Sequence, residues 1–360
     1  ISYSLNGGTI VGSNPDTYTI EDLDIRINNP KKEGYIFTGW VGSNIQEKEL
    51  SLTISAGSTG NRIFGASWVE DSSFKAISTV AEFLAINDDL SGKYYLENDI
   101  DLDGVSFDGF GTKAVPFSGI FDGKGRKIVN CTINTQNSFG IFKYSTGIIQ
   151  NVGIERFNAT VTSSDIISGA GLVLYNYGII KNVYWSGAIS GTMHSCGALV
   201  FENDGKIFNS YTIGEITKSK DGYASGFANI NTGEIINSFS NVNITASSSS
   251  YAVGFCADNK GNITNAFATG NVSGGNVGGF IWSDNGQLQT CFRLDSQKLT
   301  AYSDYEFNYN LMGKESTQDE LQDLEYLDWR MYENDDYIFI NENAVWKVVD
   351  GEYPKLYWEM

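Results

Sequence analysis

Hydrophobic and polar positions recur along the middle of the chain with a period of about 27 residues. Six blocks open with a small residue and two apolar residues, and each closes with a glycine seven positions after the opening residue. Around them, apolar and polar residues alternate in short runs, which is the period of β-strands. The blocks are Gly140–Gly147, Gly171–Gly178, Ala198–Gly205, Gly226–Gly233, Gly254–Gly261 and Gly279–Gly286.

Four kinds of residue recur at fixed places in this repeat. Asparagine stands two positions before most closing glycines, and Asn-x-Gly is turn chemistry because both residues tolerate positive φ. An x-Ile-x-Asn run follows each turn, with an aromatic residue two positions and a β-branched residue seven positions after its asparagine. The columns are Asn176, Asn203, Asn231 and Asn259; Asn151, Asn182, Asn209, Asn237 and Asn265; Tyr184, Tyr211, Phe239, Phe267 and Phe292; and Ile189, Ile216, Ile244 and Val272.

The repeat predicts a mainly β protein whose body is a right-handed parallel β-helix of about seven coils. A β-propeller needs about 40 residues per repeat and a leucine-rich repeat shows its own leucine signature, so neither fits. Stacked coils lie about 4.8 Å apart and place like residues above like. We therefore expect the asparagines to bond along the axis and the aromatic column to fill the core.

The two ends of the chain follow other patterns. Residues 74–90 and 315–331 each read as a helix followed by strands, and we expect them to cover the open ends of the β-helix. Residues 1–70 alternate aromatic strands with glycine turns, which indicates a separate, mainly β domain. The predicted domains are therefore residues 1–70, a β-helix with its N-terminal cap over residues 71–300, and a C-terminal cap over residues 301–360.

The charge of the chain bears on its partners. Its 360 residues carry a formal net charge of −19, which argues against nucleic acid or an anionic membrane as a partner. No apolar run approaches the roughly 20 residues that span a bilayer, so we expect no membrane insertion within this sequence. The sequence opens with Ile1, and we expect an export signal and an anchor to lie outside it.

Cysteine and histidine offer little chemistry. The four cysteines are far apart in the repeat register, beyond the distance that a disulfide allows, so we expect free buried thiols. His194 is the only histidine, which excludes a zinc helix with two histidines and leaves one candidate for a serine relay. The cysteines are Cys131, Cys196, Cys256 and Cys291.

One acidic run is a candidate metal site. Asp99, Asp101 and Asp103 precede Gly104 in the spacing of the first half of a calcium loop, but Phe110 stands where the bidentate glutamate belongs. The intervening apolar residues fit a half-buried strand whose acidic residues face solvent. We therefore expect no metal and no cofactor.

Clustered carboxylates are the remaining catalytic candidates. Glu202 and Asp258 occupy the same position of blocks two coils apart, and Asp284 lies one position later in its block. The backbones of the first two would be about 10 Å apart at about 4.8 Å per coil. Inverting glycosidases separate their carboxyl groups by roughly 6.5–9.5 Å, so a catalytic pair is geometrically allowed. Acidic residues at a solvated turn are commoner, and we interpret these three as surface residues.

Aromatic residues outside the columns are candidate ligand contacts. Trp185 follows Tyr184 of the aromatic column and should therefore point outward, where it could stack on a sugar ring or anchor a protein partner. Trp282, Tyr223 and Tyr251 are further candidates. The competing interpretation of each is packing against a neighbouring loop.

Two stretches of the chain resemble known families. Residues 1–70 are similar to the Listeria–Bacteroides repeat of the internalin B type on the motifs LNGGT, GYIFTGW and GSTGN…ASW, which implies a small β-grasp-like module. Residues 75–358 resemble GLUG-repeat proteins on YYLENDIDLDG, FSGIFDGKGRKIVN, the repeated GF…NxGxIxN and VWKVVDGEYPKL. These resemblances imply a secreted or wall-bound bacterial protein of the adhesin kind. GLUG repeats also accompany IgA-protease-type metallopeptidases.

We therefore expect a non-catalytic extracellular protein at the bacterial surface or cell wall that binds a host extracellular protein or glycan through a lateral face of the β-helix. Neither family supplies a catalytic residue set that maps onto this sequence. Two alternatives stay open. One is a carbohydrate-active β-helix enzyme, a polysaccharide hydrolase or lyase using Glu202, Asp258 or Asp284, and the other is the non-catalytic region of a surface peptidase.

Overall fold

The computed structural model describes residues 1–10, 12–32, 34–302, 313–323, 327, 346–347 and 351–359. The chain consists of two compact units, one of which contains Ile1–Phe74 and the other the described parts of Lys75–Trp329 and Trp346–Met360. No described helix is long and apolar enough to cross a membrane.

The N-terminal unit is a small β domain with its own core. Its central sheet has the order β1–β7–β5, in which β1 pairs with β7 in parallel and β7 with β5 antiparallel. Trp40, Phe64 and Leu52 are among its buried side chains, and Trp40 Nε1 donates to Asn29 Oδ1 at 3.0 Å. The strands are β1 (Ser2–Ser4), β2 (Thr9–Ile10), β3 (Ile25–Ile27), β4 (Pro30–Lys31), β5 (Tyr35–Gly42), β6 (Leu52–Ile54) and β7 (Ile63–Glu70).

The second unit is a parallel β-helix of about seven coils, which confirms the predicted fold class. Three sheets form its faces, and neighbouring coils pair in parallel throughout the described residues. The long sheet contains β8 (Phe74–Ile77), β9 (Lys93–Leu96), β10 (Ile100–Asp101), β11 (Ile120–Asp122), β12 (Lys127–Val129), β13 (Thr132–Thr135), β15 (Ile148–Val161), β18 (Ile179–Gly191), β21 (Lys206–Phe208), β22 (Tyr211–Lys218), β25 (Glu234–Ala246), β28 (Asn262–Ala268), β29 (Val272–Gly274), β32 (Gln287–Leu294), β33 (Leu299–Ala301) and β34 (Lys314–Ser316).

Two shorter sheets complete each coil. The five-strand sheet contains β16 (Ser168–Ala170), β19 (Ser195–Gly197), β23 (Gly222–Ser225), β26 (Ser250–Val253) and β30 (Asn276–Gly278). After a sharp corner the chain enters the six-strand sheet, which contains β14 (Phe142–Ser145), β17 (Val173–Asn176), β20 (Val200–Asn203), β24 (Ala228–Asn231), β27 (Cys256–Asn259) and β31 (Ile281–Asp284). The closing glycine then leads into the long sheet.

The two asparagine columns form hydrogen-bonded ladders of opposite polarity. In the first, each Nδ2 donates to the Oδ1 of the next coil, as from Asn176 to Asn203 at 2.7 Å, and the last bond ends on Asp284 at 2.8 Å. In the second, each Nδ2 donates toward the preceding coil, and the first member, Asn151, ends on Asp122 at 3.1 Å. A carboxylate accepts hydrogen bonds and donates none. Asp284 and Asp122 therefore each accept the last side-chain N–H of their ladder.

The closing glycines are required because the neighbouring coil leaves no room for a side chain, and not because the backbone adopts a positive φ. The φ of Asn203 and Gly205 is not positive, contrary to the turn chemistry expected of Asn-x-Gly. A Cβ built on Gly205 would lie 2.1 Å from the carbonyl oxygen of Gly178 one coil below. Only a residue without a side chain therefore permits the coils to stack at this column.

The aromatic column lies outside the coil, contrary to the expectation that it fills the core. Asn182 has φ of 54°, and the equivalent asparagines adopt the same left-handed conformation. This turn interrupts the alternation of side chains, so Val183 points inward, Tyr184 outward and Trp185 inward again. Trp185 is 0% exposed and belongs to the core. The expectation that Trp185 points outward is therefore wrong, and this residue cannot contact a ligand at the surface.

A short helix covers the N-terminal end of the core. Helix α1 (Val80–Leu84) has a capping box between Thr79 and Glu82 and continues into a 3-10 turn, Ala85–Asp88. Buried Phe83 contacts the rings of Phe110 and Phe121 at centroid distances of 5.0 and 6.2 Å. The predicted helix over residues 74–90 is thus present in shortened form, at the predicted end of the β-helix.

The C-terminal residues lie against the outer aromatic column and not only at the end of the β-helix. Strands β35 (Trp346–Lys347) and β36 (Lys355–Leu356) pair antiparallel and are followed by a 3-10 turn, Tyr357–Glu359. The ring of Trp358 stacks on Tyr184 at 5.4 Å, and Tyr211 Oη donates to Glu359 Oε2 at 2.5 Å. Of the second predicted helix, only α2 (Gln318–Gln322) is described, and Leu324 and Trp329 lie outside the described residues.

Candidate corner groove

The outer surface is concave where the five-strand sheet meets the six-strand sheet. Tyr251 points outward from β26, and Trp282 lies on β31 of the next coil. Their rings are in edge contact, with centroids 4.8 Å apart and planes at 61°. Outward side chains of two adjacent faces converge where the outer surface is concave, whereas at a convex corner they would point away from each other. We name this surface, with Tyr223, Tyr251, Trp282, Glu202 and Asp258, the corner groove.

Two tyrosines form an aromatic stack on one wall of the groove. Tyr223 and Tyr251 occupy the same register position of β23 and β26, with ring centroids 4.5 Å apart and planes at 23°. Toward the N terminus the next residue of this column is Ser195, so the stack ends at Tyr223. Ser195 Oγ accepts from Tyr223 N at 3.2 Å and bonds His194 Nδ1 at 3.0 Å. The sole histidine thus sits beside the end of the stack.

Carboxylates and tyrosines share one outward row on the other wall. Register pairing places Tyr144, Tyr175, Glu202, Ile230 and Asp258 on successive coils of the six-strand sheet. Tyr144 and Tyr175 stack at 4.6 Å with planes at 17°. The row therefore runs from an aromatic platform to an acidic stretch.

The two carboxylates of this row differ in their surroundings. Asp258 Oδ2 forms an ion pair with Lys260 Nζ at 2.6 Å. Glu202 has no hydrogen bond or ion pair among the described residues and is half-buried. Burial raises the pKa of Glu202, the nearby carboxylate of Asp204 raises it further, and the positive charge of Lys260 partly offsets both effects. A half-buried carboxylate without a partner gains from a ligand that donates hydrogen bonds or carries positive charge.

The two carboxylates of this row lie two coils apart, and one of them is already paired. Ile230 lies between Glu202 and Asp258 in the row, and Lys260 engages Asp258. Asp284 is in register with Asn259 and accepts from its Nδ2, so its carboxylate ends the ladder and does not join the row. Asp284 is therefore separated from the row that contains Glu202 and Asp258.

The candidate calcium ligands are also separated. Asp99 Oδ1 accepts from the backbone of Lys127 at 2.9 Å, whereas Asp101 Oδ1 accepts from Asn130 Nδ2 at 2.8 Å. Asp103 is exposed at the mouth of a surface pocket. Among the described residues, no group of three histidine, cysteine or acidic side chains could hold a metal ion.

The cysteines are free thiols, as predicted. Burial raises the pKa of Cys131, Cys196 and Cys291 to about 12, and that of Cys256 further still. Because the thiolate is the reactive form, these thiols are poor nucleophiles.

Sequence reasoning missed the tyrosines of the outward row and the partner of Asp258. Tyr144 and Tyr175 stand four residues after the opening residue of their blocks, as do Glu202 and Asp258. Comparing that position down the repeat would have revealed the row. Lys260, two residues after Asp258 and just beyond the end of β27, was a signal for the ion pair.

One family model matches the N-terminal unit. Residues 1–67 match the Listeria-Bacteroides repeat domain. A comparison with curated proteins finds no significant match to the chain.

The β-helix has similar solved structures at low sequence identity. A crystal structure from Bacteroides ovatus, of a protein named as a candidate immunoglobulin A1 protease, aligns with a TM-score of 0.59 and 20% identity. The alignment covers 80% of this chain and 93% of that one. A second structure, named IgA1 protease, aligns with a TM-score of 0.45 and 15% identity over 82% of this chain and only 24% of its own length. The first likeness supports the fold.

Proposed function

We propose that the chain is a non-catalytic, adhesin-like part of an extracellular bacterial surface protein, and that its β-helix binds a glycan through the corner groove. The observation that carries this proposal is the meeting of Tyr223, Tyr251 and Trp282 across a concave corner. Such rings offer apolar area with a polar edge, which suits the alternating apolar and hydroxyl surfaces of sugars. Asp258 and Glu202 add hydrogen-bond acceptors beside them.

The surface location rests on the family match and on resemblance. Residues 1–67 match a Listeria-Bacteroides repeat domain, and the β-helix residues resemble GLUG-repeat proteins of bacterial surfaces. Buried free thiols require no particular redox compartment, so they neither favour nor oppose this location. The ligand would belong to a host or matrix surface.

The absence of catalysis rests on the groove's geometry. Asp258 is engaged by Lys260, Asp284 is engaged by Asn259, and Glu202 has no second carboxylate beside it in its row. The alternative of a surface peptidase region is favoured only by the name of the protein from Bacteroides ovatus. A non-catalytic part of such a protein would be compatible with the same groove.

A binding screen of the whole chain on immobilised glycans and host matrix proteins tests the proposal. We expect the affinity for the glycan to fall at least about tenfold in Tyr251→Ala and in Trp282→Ala, since each substitution removes an aromatic ring that the bound sugar would cover. Tyr35→Ala is the matched control, because Tyr35 is 38% exposed and belongs to the N-terminal unit and not to the β-helix. Binding to protein alone, or equal loss in the control, would contradict the proposal.

Product analysis on every glycan that binds tests the non-catalytic part. We expect no cleavage products. Turnover that disappears in the double variant Glu202→Gln/Asp258→Asn would instead identify a carbohydrate-active enzyme.

A further inference from the structure

We infer that the β-helix has a second binding surface, at which an extended basic peptide of a partner protein adds one short strand to β13. This surface is a pocket of about 520 Å³ between β13 and the loop of residues 103–108 in the preceding coil. Its volume lies within the about 300–1,000 Å³ typical of ligand pockets. The inference goes beyond the proposed glycan binding and does not depend on it.

One edge of β13 is free among the described residues. This strand pairs with β15 alone, whereas β18 and β22 pair with a coil on each side at the equivalent positions. Thr162 N donates to Thr135 O at 3.2 Å, so Thr135 directs its backbone bonds toward β15. Because successive residues of a strand direct these bonds to opposite edges, the N–H and C=O groups of Thr132 and Asn134 point away from β15.

The pocket lies against this free edge. All four residues of β13 line it, whereas a pocket against one face of the strand would be lined by alternate residues. Two backbone donors and two backbone acceptors therefore face the pocket. A strand added to β13 would pair with these groups.

The free edge exists because the first coil is four residues shorter than the next one at this place. Eight residues separate Asp101 from Phe110, whereas twelve separate their partners in the next coil, Val129 and Phe142. Gly104, with φ of 70°, turns the chain out of the coil within this stretch. The missing length equals the four residues of β13, so a short peptide strand would complete the coil.

The lining of the pocket decides which peptide fits. Asp103 and Asp108 are its only charged residues. Asp108 forms an ion pair with Lys143 at 2.7 Å, whereas the exposed Asp103 side chain has no hydrogen bond or ion pair among the described residues. Ile133 and Phe139 are 6% and 3% exposed and supply apolar surface. A strand that alternates apolar and basic residues complements both the charge and the apolar surface.

Fluorescence anisotropy of labelled hexapeptides, with the whole chain at near-physiological salt, tests this inference. The probe alternates valine and lysine and is blocked at both ends. We expect saturable binding that weakens at least about tenfold when glutamate replaces lysine. Methylation of all backbone nitrogens should weaken binding as much, because it removes the donors that reach β13. No binding at about 1 mM peptide would overturn the inference.

Substitutions at Asn134 test the backbone pairing. Asn134→Pro removes an N–H at the free edge and keeps the bonds to β15, since proline is tolerated where the N–H faces away from the neighbouring strand. We expect the affinity for the valine–lysine peptide to fall about tenfold. Asn134→Ala keeps that N–H and should bind at least about fivefold more tightly than the proline variant. Circular dichroism checks the fold of each variant, and the methylated probe decides the same point if the proline variant does not fold.

A charge reversal tests the preference for basic side chains. Asp103→Lys should lower the affinity for the valine–lysine peptide about fivefold. Glu215→Lys is the matched control, because it makes the same change of charge at an exposed position of β22 and should stay within about twofold. Equal losses in the two variants would overturn a specific acidic site.

The remaining outcomes concern what pairs with the edge. Affinity that survives both backbone methylation and Asn134→Pro would overturn strand addition. A dimer that Asn134→Pro dissociates, in a protein that binds no peptide, would assign the edge to a second copy of the chain and overturn the peptide as its occupant. No residue of the corner groove lines this pocket, so the failure of either binding claim leaves the other standing.

Discussion

Replacing Asn209 by leucine tests whether the second asparagine ladder stabilises the β-helix. Asn209 Nδ2 donates to Asn182 Oδ1 at 3.2 Å, and Asn209 Oδ1 accepts from Asn237 Nδ2 at 3.3 Å. Its φ is 46°, a left-handed conformation in which asparagine is tolerated and leucine is strained. The substitution therefore removes two hydrogen bonds and adds backbone strain.

The expected loss follows from these two contributions. Each net hydrogen bond contributes about 0.5–1.5 kcal/mol to the free energy of unfolding, so the ladder accounts for about 1–3 kcal/mol. A non-glycine residue in the left-handed region adds about 1–2 kcal/mol. Asn209→Leu should lower the free energy of unfolding by about 2–5 kcal/mol. Asn209→Gly loses the bonds without the strain and should lie between this variant and the native protein.

Urea unfolding, followed by circular dichroism and by intrinsic fluorescence, measures the change. Asn134→Leu is the control, because the Asn134 side chain is exposed and forms no hydrogen bond to the described residues; its effect should stay within about 0.5 kcal/mol. A neutral Asn209→Leu, or a glycine variant less stable than the leucine variant, would refute the contributions assigned to the ladder and to the left-handed turn.

Three further substitutions test other features of the β-helix. Gly205→Ala should destabilise by about 3 kcal/mol, measured by urea unfolding, because its Cβ would lie 2.1 Å from the carbonyl oxygen of Gly178 on the preceding coil; a neutral result would mean that the coils can separate locally. Trp358→Ala should cost about 1–3 kcal/mol and speed proteolysis within residues 346–359, since it removes the ring stacked on Tyr184; unchanged proteolysis would show that the other contacts suffice. Burial lowers the pKa of Lys218 to about 8 from 10.5, so the contribution of Lys218 to stability should rise with pH between about 8 and 10.5. The free energy of unfolding of the native protein relative to Lys218→Met should therefore increase over this range, and a constant difference between the two proteins would contradict the burial argument.

The sequence predicted the register of the β-helix because its columns repeat independently. The pairing of Ile189 with Ile216, and of Tyr184 with Tyr211, is the pairing that the repeat predicted. Parallel coils and free cysteines followed from the same register. These features depend only on which residues lie above which.

Which side of the coil a column faces could not be read from the repeat. Alternation alone placed Tyr184 inside and Trp185 outside, whereas the positive φ of Asn182 reverses both. Asparagine adopts either backbone conformation, so its identity does not reveal the sign of φ. The outer aromatic column is then covered by Trp346, Tyr353 and Trp358, which come from the far end of the chain.

The candidate site was predicted as separate residues and not as a site. Tyr223, Tyr251 and Trp282 were each identified as possible ligand contacts on composition and position. Their meeting depends on the angle between two sheets at the corner after β26, which no local pattern encodes. Whether the Asp258 carboxylate is free to bind a ligand likewise depends on its ion pair with Lys260, which is known only once the side chains are placed.

Hydroxyl-radical footprinting of the whole chain, with and without a glycan that it binds, locates the binding surface. We expect protection of Tyr223, Tyr251 and Trp282 on ligand binding, with Tyr35 of the N-terminal unit unchanged as an exposed reference. Protection confined to residues 1–67, or to another face of the β-helix, would contradict binding at the corner groove.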